Sequence, residues 1–182
     1  GRKPPERLEQ AVTERYRMLG GRSPLPEVTR QQAQALQEWL AGKGFDWPVR
    51  VGMQHASPTI ESGIRQLIGE NISHLLAISL APYRSQASTS AYEEKVLDVV
   101  RQLRPDWKVA FPQDWYHHPL FIEALAQKLE ECRQQLPADI RNRVPVIFSA
   151  HSLPRHFIEQ GDPYVEQLEM TIRGIDERIG PL

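Results

Sequence analysis

The sequence contains a single cysteine, Cys132, among 182 residues. An internal disulfide and a Cys-rich metal centre are both beyond what one thiol can build. That thiol sits mid-helix among Glu130, Glu131 and Arg133, where a structural or exposed role is better founded than a nucleophilic one. A reducing, cytoplasmic setting fits it. Neither sign of charge is in excess: 22 Lys and Arg stand against 23 Asp and Glu, a formal net charge of -1. Nucleic acid is therefore not an expected partner, because no basic surplus exists to neutralise phosphates. No apolar run approaches the roughly 20 residues that span a bilayer. Nucleotide loops are missing as well, with neither G-x-G-x-x-G after a first strand nor G-x-x-x-x-G-K-[ST] anywhere. The absence of G-x-S-x-G removes support for a hydrolase elbow.

What is present is an ordinary globular composition, 40% hydrophobic and 25% charged, with two alternating periodicities. Helical spacing marks residues 5–19, which stop at Gly20-Gly21, and residues 29–41 with Thr29 as the expected N-cap. It recurs over 58–69, where Ser57 is the expected N-cap and Pro58 the first helical residue. Further helices are expected around Tyr92 to Leu103, over 120–136 and over 162–179. Between them, 49–53, 74–80, 107–111 and 144–148 carry the β-branched and apolar bias of buried strands. Strands alternating with helices predict an α/β protein with a parallel sheet built from right-handed crossovers. In such sheets ligands gather beyond the carboxyl ends of the strands. The candidate clusters, Gln54-His55, Tyr83-Arg84-Ser85, Tyr116-His117-His118 and Ser149-Ala150-His151, all follow a strand.

His151 is the sharpest of these. A neutral imidazole can hold a transition metal or take a proton near neutral pH. On spacing alone, a hydrogen-bonded turn residue is the better reading, with Ser149 and Ser152 available to orient the ring. His117-His118 is better read as a solvated loop, or the helix start set up by Pro119, than as a metal pair, because adjacent side chains diverge.

The stretch "VIFSAHSLPRHFIEQGDPYVEQL", Val146 to Leu168, resembles the signature of the ferrochelatases, which insert ferrous iron into a porphyrin. Its parts are an apolar strand, Ser-x-His-Ser-Leu-Pro, a short spacer and Gly-Asp-Pro-Tyr. The blocks "GRKP", "RYRMLGGRSPL", "VGMQHASPTIE", "LAPYRSQASTSAY" and "DWYHHPLF" follow the family order, so the resemblance covers essentially the whole chain. It looks closest to the bacterial branch acting on coproporphyrin III or protoporphyrin IX. The resemblance implies two Rossmann-like domains of parallel sheet flanked by helices, with a porphyrin cleft between them. It implies that residues 1–143 form the first domain without its first strand, and that 144–182 begin a second domain that is incomplete here. His151 is then the catalytic residue, as metal ligand or acceptor of a pyrrole proton. Ser23, Gln32, Gln54, His55, Tyr83 and Ser85 map to porphyrin-binding positions, and Arg2 to a propionate contact.

The implied partners are the porphyrin and Fe²⁺, both as substrates. No tightly bound cofactor is expected, and one cysteine cannot hold the iron–sulfur cluster of some relatives. Family members continue well beyond Leu182, and the acidic residue that faces the signature histidine lies in that continuation. The expectation is therefore a fragment of a longer chain. A non-catalytic tetrapyrrole-binding module of the same fold is the alternative. A cobalt chelatase for a corrin precursor is a third reading, opposed by the Ser-Leu-Pro and Gly-Asp-Pro-Tyr blocks. Oligomeric state and peripheral membrane contact stay open.

Overall fold

The structure, a computed structural model, describes residues 5–141 and 143–180. Arg2 lies outside them. The described elements run α1 Glu6–Met18, α2 Leu25–Gly42, α3 Ile60–Leu67, β1 His74–Leu76, α4 Thr89–Leu103, β2 Lys108–Ala110, α5 Pro119–Gln134, α6 Arg155–Glu159 and α7 Tyr164–Ile179. The chain separates into two compact units, Gly1–Ser73 with Val99–Asp106, and His74–Asp98 with Trp107–Leu182.

In the first unit, Leu40, Ile60, Ile64, Leu67, Val99 and Val100 are buried, a core drawn from the inward faces of amphipathic helices. Helix α1 buries none of its residues. It ends in a double turn closed by the Gly20 and Gly21 amides on Arg17 O and Tyr16 O, as its glycines predict. The segment expected as strand 49–53 joins no ladder among the described residues; Met53 alone makes an isolated parallel bridge with Thr59. Its backbone is held instead by a side chain. Gln37 donates to Trp47 O at 2.8 Å and accepts from the Val49 N–H at 2.7 Å, which satisfies groups that a neighbouring strand would otherwise take.

Two other expectations in this unit are corrected. Thr59, not Ser57, caps α3, accepting from the Ser62 N–H at 3.1 Å. The chain cannot start the helix at Pro58, because the Pro58 carbonyl is used by the Met53 N–H in a small closed loop whose return bond runs from Ile60 N–H to Met53 O. Helix α2 starts at Leu25 rather than after Thr29. Pro26 is tolerated in its first turn, where no N–H partner is needed.

Gly63 shows how closely the 49–53 segment approaches α3. A Cβ there would lie 2.7 Å from Val51 O and 3.3 Å from Val51 C. Gly63→Ala is therefore expected to lose about 1–3 kcal/mol by overpacking, although alanine is the better helix former. Gly42→Ala, at the end of α2 with open space around it, serves as the contrast and is expected to be neutral or mildly stabilising. Urea midpoints of both variants decide it; a stabilised Gly63→Ala contradicts the close approach.

In the second unit β1 and β2 pair in parallel, in the register His74 with Lys108, Leu75 with Val109 and Leu76 with Ala110. The α/β class and the parallel pairing are as expected. Both strands are shorter than expected, three residues each. The segment 144–148 forms no ladder among the described residues, and Ile147 is 87% exposed. Its apolar character is that of a strand buried on both faces, but its surroundings here do not cover it. Helix α7 packs on α5, with Ile122, Ala126 and Ile175 buried in this unit beside Trp107. The expected helix start at 162 falls at Tyr164, and the short α6 stands where only a spacer was expected.

An ion pair joins the same two helices at the surface. Arg178 on α7 donates to both oxygens of Glu123 on α5, Nη2 to Oε1 at 3.0 Å and Nε to Oε2. This hydrogen bond holds the Glu123 carboxyl below the ordinary carboxylate range and raises Arg178. A depressed acid stabilises the fold above its unfolded pKa and loses that contribution as pH falls through the folded value. Arg178→Ala is therefore expected to lower the thermal midpoint slightly near pH ~7, and not at all near pH ~2, where Glu123 is protonated in both proteins. An equal deficit at both pH values would show that Arg178 acts by packing alone.

Candidate functional site

The site assembles from two turns in the second unit. The first follows β1 and runs through Ala81, Tyr83, Ser85, Ala87 and Ser88. The second is His151-Ser152-Leu153-Pro154, leading into α6. Together with Tyr164 at the start of α7 they line a cavity of about 460 Å³, within the roughly 300–1,000 Å³ range of small-molecule sites.

His151 is exposed at this cavity. Among the described residues its imidazole has no hydrogen-bond partner, and neither Ser149 nor Ser152 orients it. The reading of His151 as a hydrogen-bonded turn residue is thus not what the fold shows. Both ring nitrogens stay available to a ligand.

The Tyr83–Ser88 wall is held from behind by one carboxylate. Asp162 is 5% exposed. Its Oδ2 accepts from Gln86 N–H at 2.7 Å and from Ser85 Oγ at 3.1 Å, and its Oδ1 accepts from Tyr164 N–H at 3.0 Å. Ser85 is 1% exposed. Its hydroxyl also accepts from Ala87 N–H at 3.1 Å, and its own N–H donates to Thr89 Oγ1 at 2.8 Å. The Ser85 hydroxyl is therefore engaged inside the turn.

The Gly-Asp-Pro-Tyr sequence explains how Asp162 arrives there. Gly161 has φ +88, a left-handed conformation glycine adopts without strain. Its N–H bonds Ile158 O and the Asp162 N–H bonds Phe157 O, each at 3.0 Å, the paired closure of a Schellman ending. Pro163 then fixes the turn into α7. Tyr164 emerges on the cavity and meets Tyr83 edge to face, ring centroids 5.8 Å apart, while Tyr83 also meets Phe121 at 6.3 Å. Two aromatic rings supported this way give the cavity an apolar, flat-sided lining.

Tyr83, Ser85 and His151 are thus brought to one cavity. Ser23, Gln32, Gln54 and His55 belong to the first unit. Ser23 is half-buried and accepts from the Leu25 N–H at 3.2 Å; Gln32 is exposed on α2, and Gln54 and His55 are exposed in the loop between Met53 and Thr59. His118 behaves as its neighbour Pro119 suggested, capping α5 by accepting from Leu120 N–H at 3.2 Å. Cys132 is free and exposed. Among the described residues no three or more His, Cys, Asp or Glu side chains are grouped to hold a metal ion, and no helix is long and apolar enough to cross a membrane.

The sequence model of the family described as Ferrochelatase matches residues 4–181. The chain belongs to the ferrochelatase family. It is 37% identical over 180 residues to the Ferrochelatase of Deinococcus radiodurans, an alignment covering 99% of this chain and 57% of that protein. It is 38% identical over 165 residues to the Ferrochelatase of Geotalea uraniireducens, covering 91% and 50% respectively. The Coproporphyrin III ferrochelatase of Geobacillus kaustophilus is 34% identical over 182 residues, covering 99% and 57%. The chain therefore spans about half the length of these ferrochelatases, 50% to 57%. Tyr164 and Asp162 were not singled out by residue pattern as site residues. The only signal for them was the Gly-Asp-Pro-Tyr block, in which a carboxylate just ahead of a helix start reads as a local cap.

Proposed function

We propose that this chain supplies the metal-handling and part of the porphyrin-binding surface of a cytoplasmic ferrochelatase that inserts Fe²⁺ into coproporphyrin III or protoporphyrin IX. The observation that carries this reading is the cavity shared by His151, Tyr83 and Tyr164. It puts an imidazole with no hydrogen-bond partner among the described residues beside aromatic faces suited to a flat macrocycle.

Insertion forms four metal–nitrogen bonds and breaks two pyrrole N–H bonds, with no change of oxidation state. A base at the macrocycle is therefore required, and so is a ligand that releases the ion as the pyrroles take it. An imidazole exposed at the cavity can serve either step, as proton acceptor or as transient ligand. Tyr83 and Tyr164 orient the macrocycle by packing on its face, and Asp162 keeps the Tyr83 turn in place. Ser23, Gln32, Gln54 and His55, in the first unit, stay porphyrin-binding candidates in this proposal, as polar groups suited to carboxylates. The single exposed thiol suits a reducing compartment.

The test is a titration with coproporphyrin III, read by quenching of protein fluorescence, followed by Zn²⁺ and a search for the metalloporphyrin absorbance. Saturable binding and metal uptake support the proposal. Absence of binding overturns it.

A further inference from the structure

Gln167, one turn into α7, is 7% exposed and was given no role by sequence pattern. Its Oε1 accepts from the Arg84 N–H at 2.6 Å, and its Nε2 donates to Asp114 Oδ2 at 3.1 Å. One amide thus spans the turn after β1 and the turn after β2. A backbone N–H only donates and a carboxylate only accepts, so the bridging group must accept at one atom and donate at the next. Among side chains of this length a primary amide does so without a charge.

The Arg84 N–H belongs to the same planar peptide unit as the Tyr83 carbonyl. Holding it restrains the ψ torsion of Tyr83, and so the backbone that carries the Tyr83 ring. Further down α7, Thr171 Oγ1 donates to Tyr116 O at 2.9 Å, so the second turn is anchored twice. The Arg84 guanidinium closes the cluster from outside, 3.4 Å from Glu93 on α4 and 3.9 Å from Asp114.

Resting on the proposed function, we infer that Gln167 is a positioning residue for porphyrin: it sets the Tyr83 wall of the His151 cavity by binding the Arg84 amide and the Asp114 carboxylate at once. It touches no substrate. Its effect is on how well the macrocycle is held, not on the exchange of protons for metal.

Two variants test this. Gln167→Met removes both bonds at similar size. Gln167→Glu keeps the acceptor and sets a second carboxylate against Asp114, in a cluster where the Arg84 guanidinium already faces Glu93 and Asp114. In the unliganded protein, hydrogen exchange at the Arg84 amide is expected to rise about tenfold in Gln167→Met. The porphyrin KM is expected to rise about tenfold in both variants, with kcat within about twofold of the parent. The Gln167→Glu defect is expected to shrink as pH falls from ~8 to ~6, because the like charge of Asp114 raises the new carboxyl and its protonated form donates as the amide did. Gln167→Met has no such step. Unchanged exchange at Arg84 in Gln167→Met overturns the positioning role, whether or not the protein inserts metal. Faster exchange with an unaltered KM overturns the link to the substrate. A parent protein that binds no porphyrin overturns the functional reading instead, and the exchange measurement then decides the role of Gln167 in shaping the turn by itself.

Discussion

His151→Ala is expected to lower metal insertion by roughly 10²- to 10⁴-fold in kcat, the range assigned to a positioned acid–base group, while porphyrin affinity changes little. The asymmetry follows from the site. The imidazole has no partner within the described chain and is exposed at the cavity, so its removal breaks no internal bond and leaves the Tyr83 and Tyr164 faces intact. Loss of turnover with retained binding therefore reports chemistry and not folding. Near-parental turnover in His151→Ala would remove the residue from the mechanism. A parallel collapse of porphyrin binding would make it a binding group instead.

Asp162→Ala is expected to produce the largest loss of stability, about 2–4 kcal/mol. Three donors lose one buried acceptor, and a hydrogen bond to a charged group contributes ~1.5–3 kcal/mol. The sum is less than additive, because Ser85 can turn its hydroxyl and water can reach the gap. The same change loosens the join between the Tyr83–Ser88 turn and α7, so porphyrin affinity is expected to fall with stability. Asp162→Asn preserves shape but must place an amide hydrogen toward one of the three donors, giving an intermediate loss. Thermal unfolding with and without coproporphyrin III checks both variants. An Asp162→Ala protein as stable as the parent would mean that Gln86 and Tyr164 N–H find other acceptors at no cost.

Much of this was legible in the residues. Helices showed through their period, as with Leu120 to Leu136 against the observed Pro119–Gln134. Their ends showed through glycine, as at Gly20 and Gly21 after α1. Two strand expectations failed for a common reason: apolar, β-branched residues at 49–53 and 144–148 report a preference for extended backbone, but a ladder needs a neighbour. At 49 that neighbour is the Gln37 side chain. The cavity was legible in outline, through His151 and Tyr83, because each follows an apolar run and precedes a proline or a polar turn. Asp162 and Gln167 were not, since the bonds that tie them to the turns after β1 and β2 span 53 to 83 residues of chain. Local spacing carries no signal for bonds of that range, and a buried glutamine in a helix looks like any exposed one until its partners are seen. Ser85, placed at the porphyrin by its family position, lines the cavity, and its hydroxyl also bonds Asp162 and the Ala87 N–H inside the turn.

The measurement that tests the central claim most directly is the proton NMR shift of the His151 imidazole during titration with coproporphyrin III. A porphyrin seated in the Tyr83–Tyr164 cavity carries a ring current strong enough to move any proton on its face. The account predicts saturable shifts of the His151 ring protons together with those of Tyr83 and Tyr164, while His74 on β1 stays in place. Porphyrin binding that moves other residues and leaves His151 unshifted would contradict it.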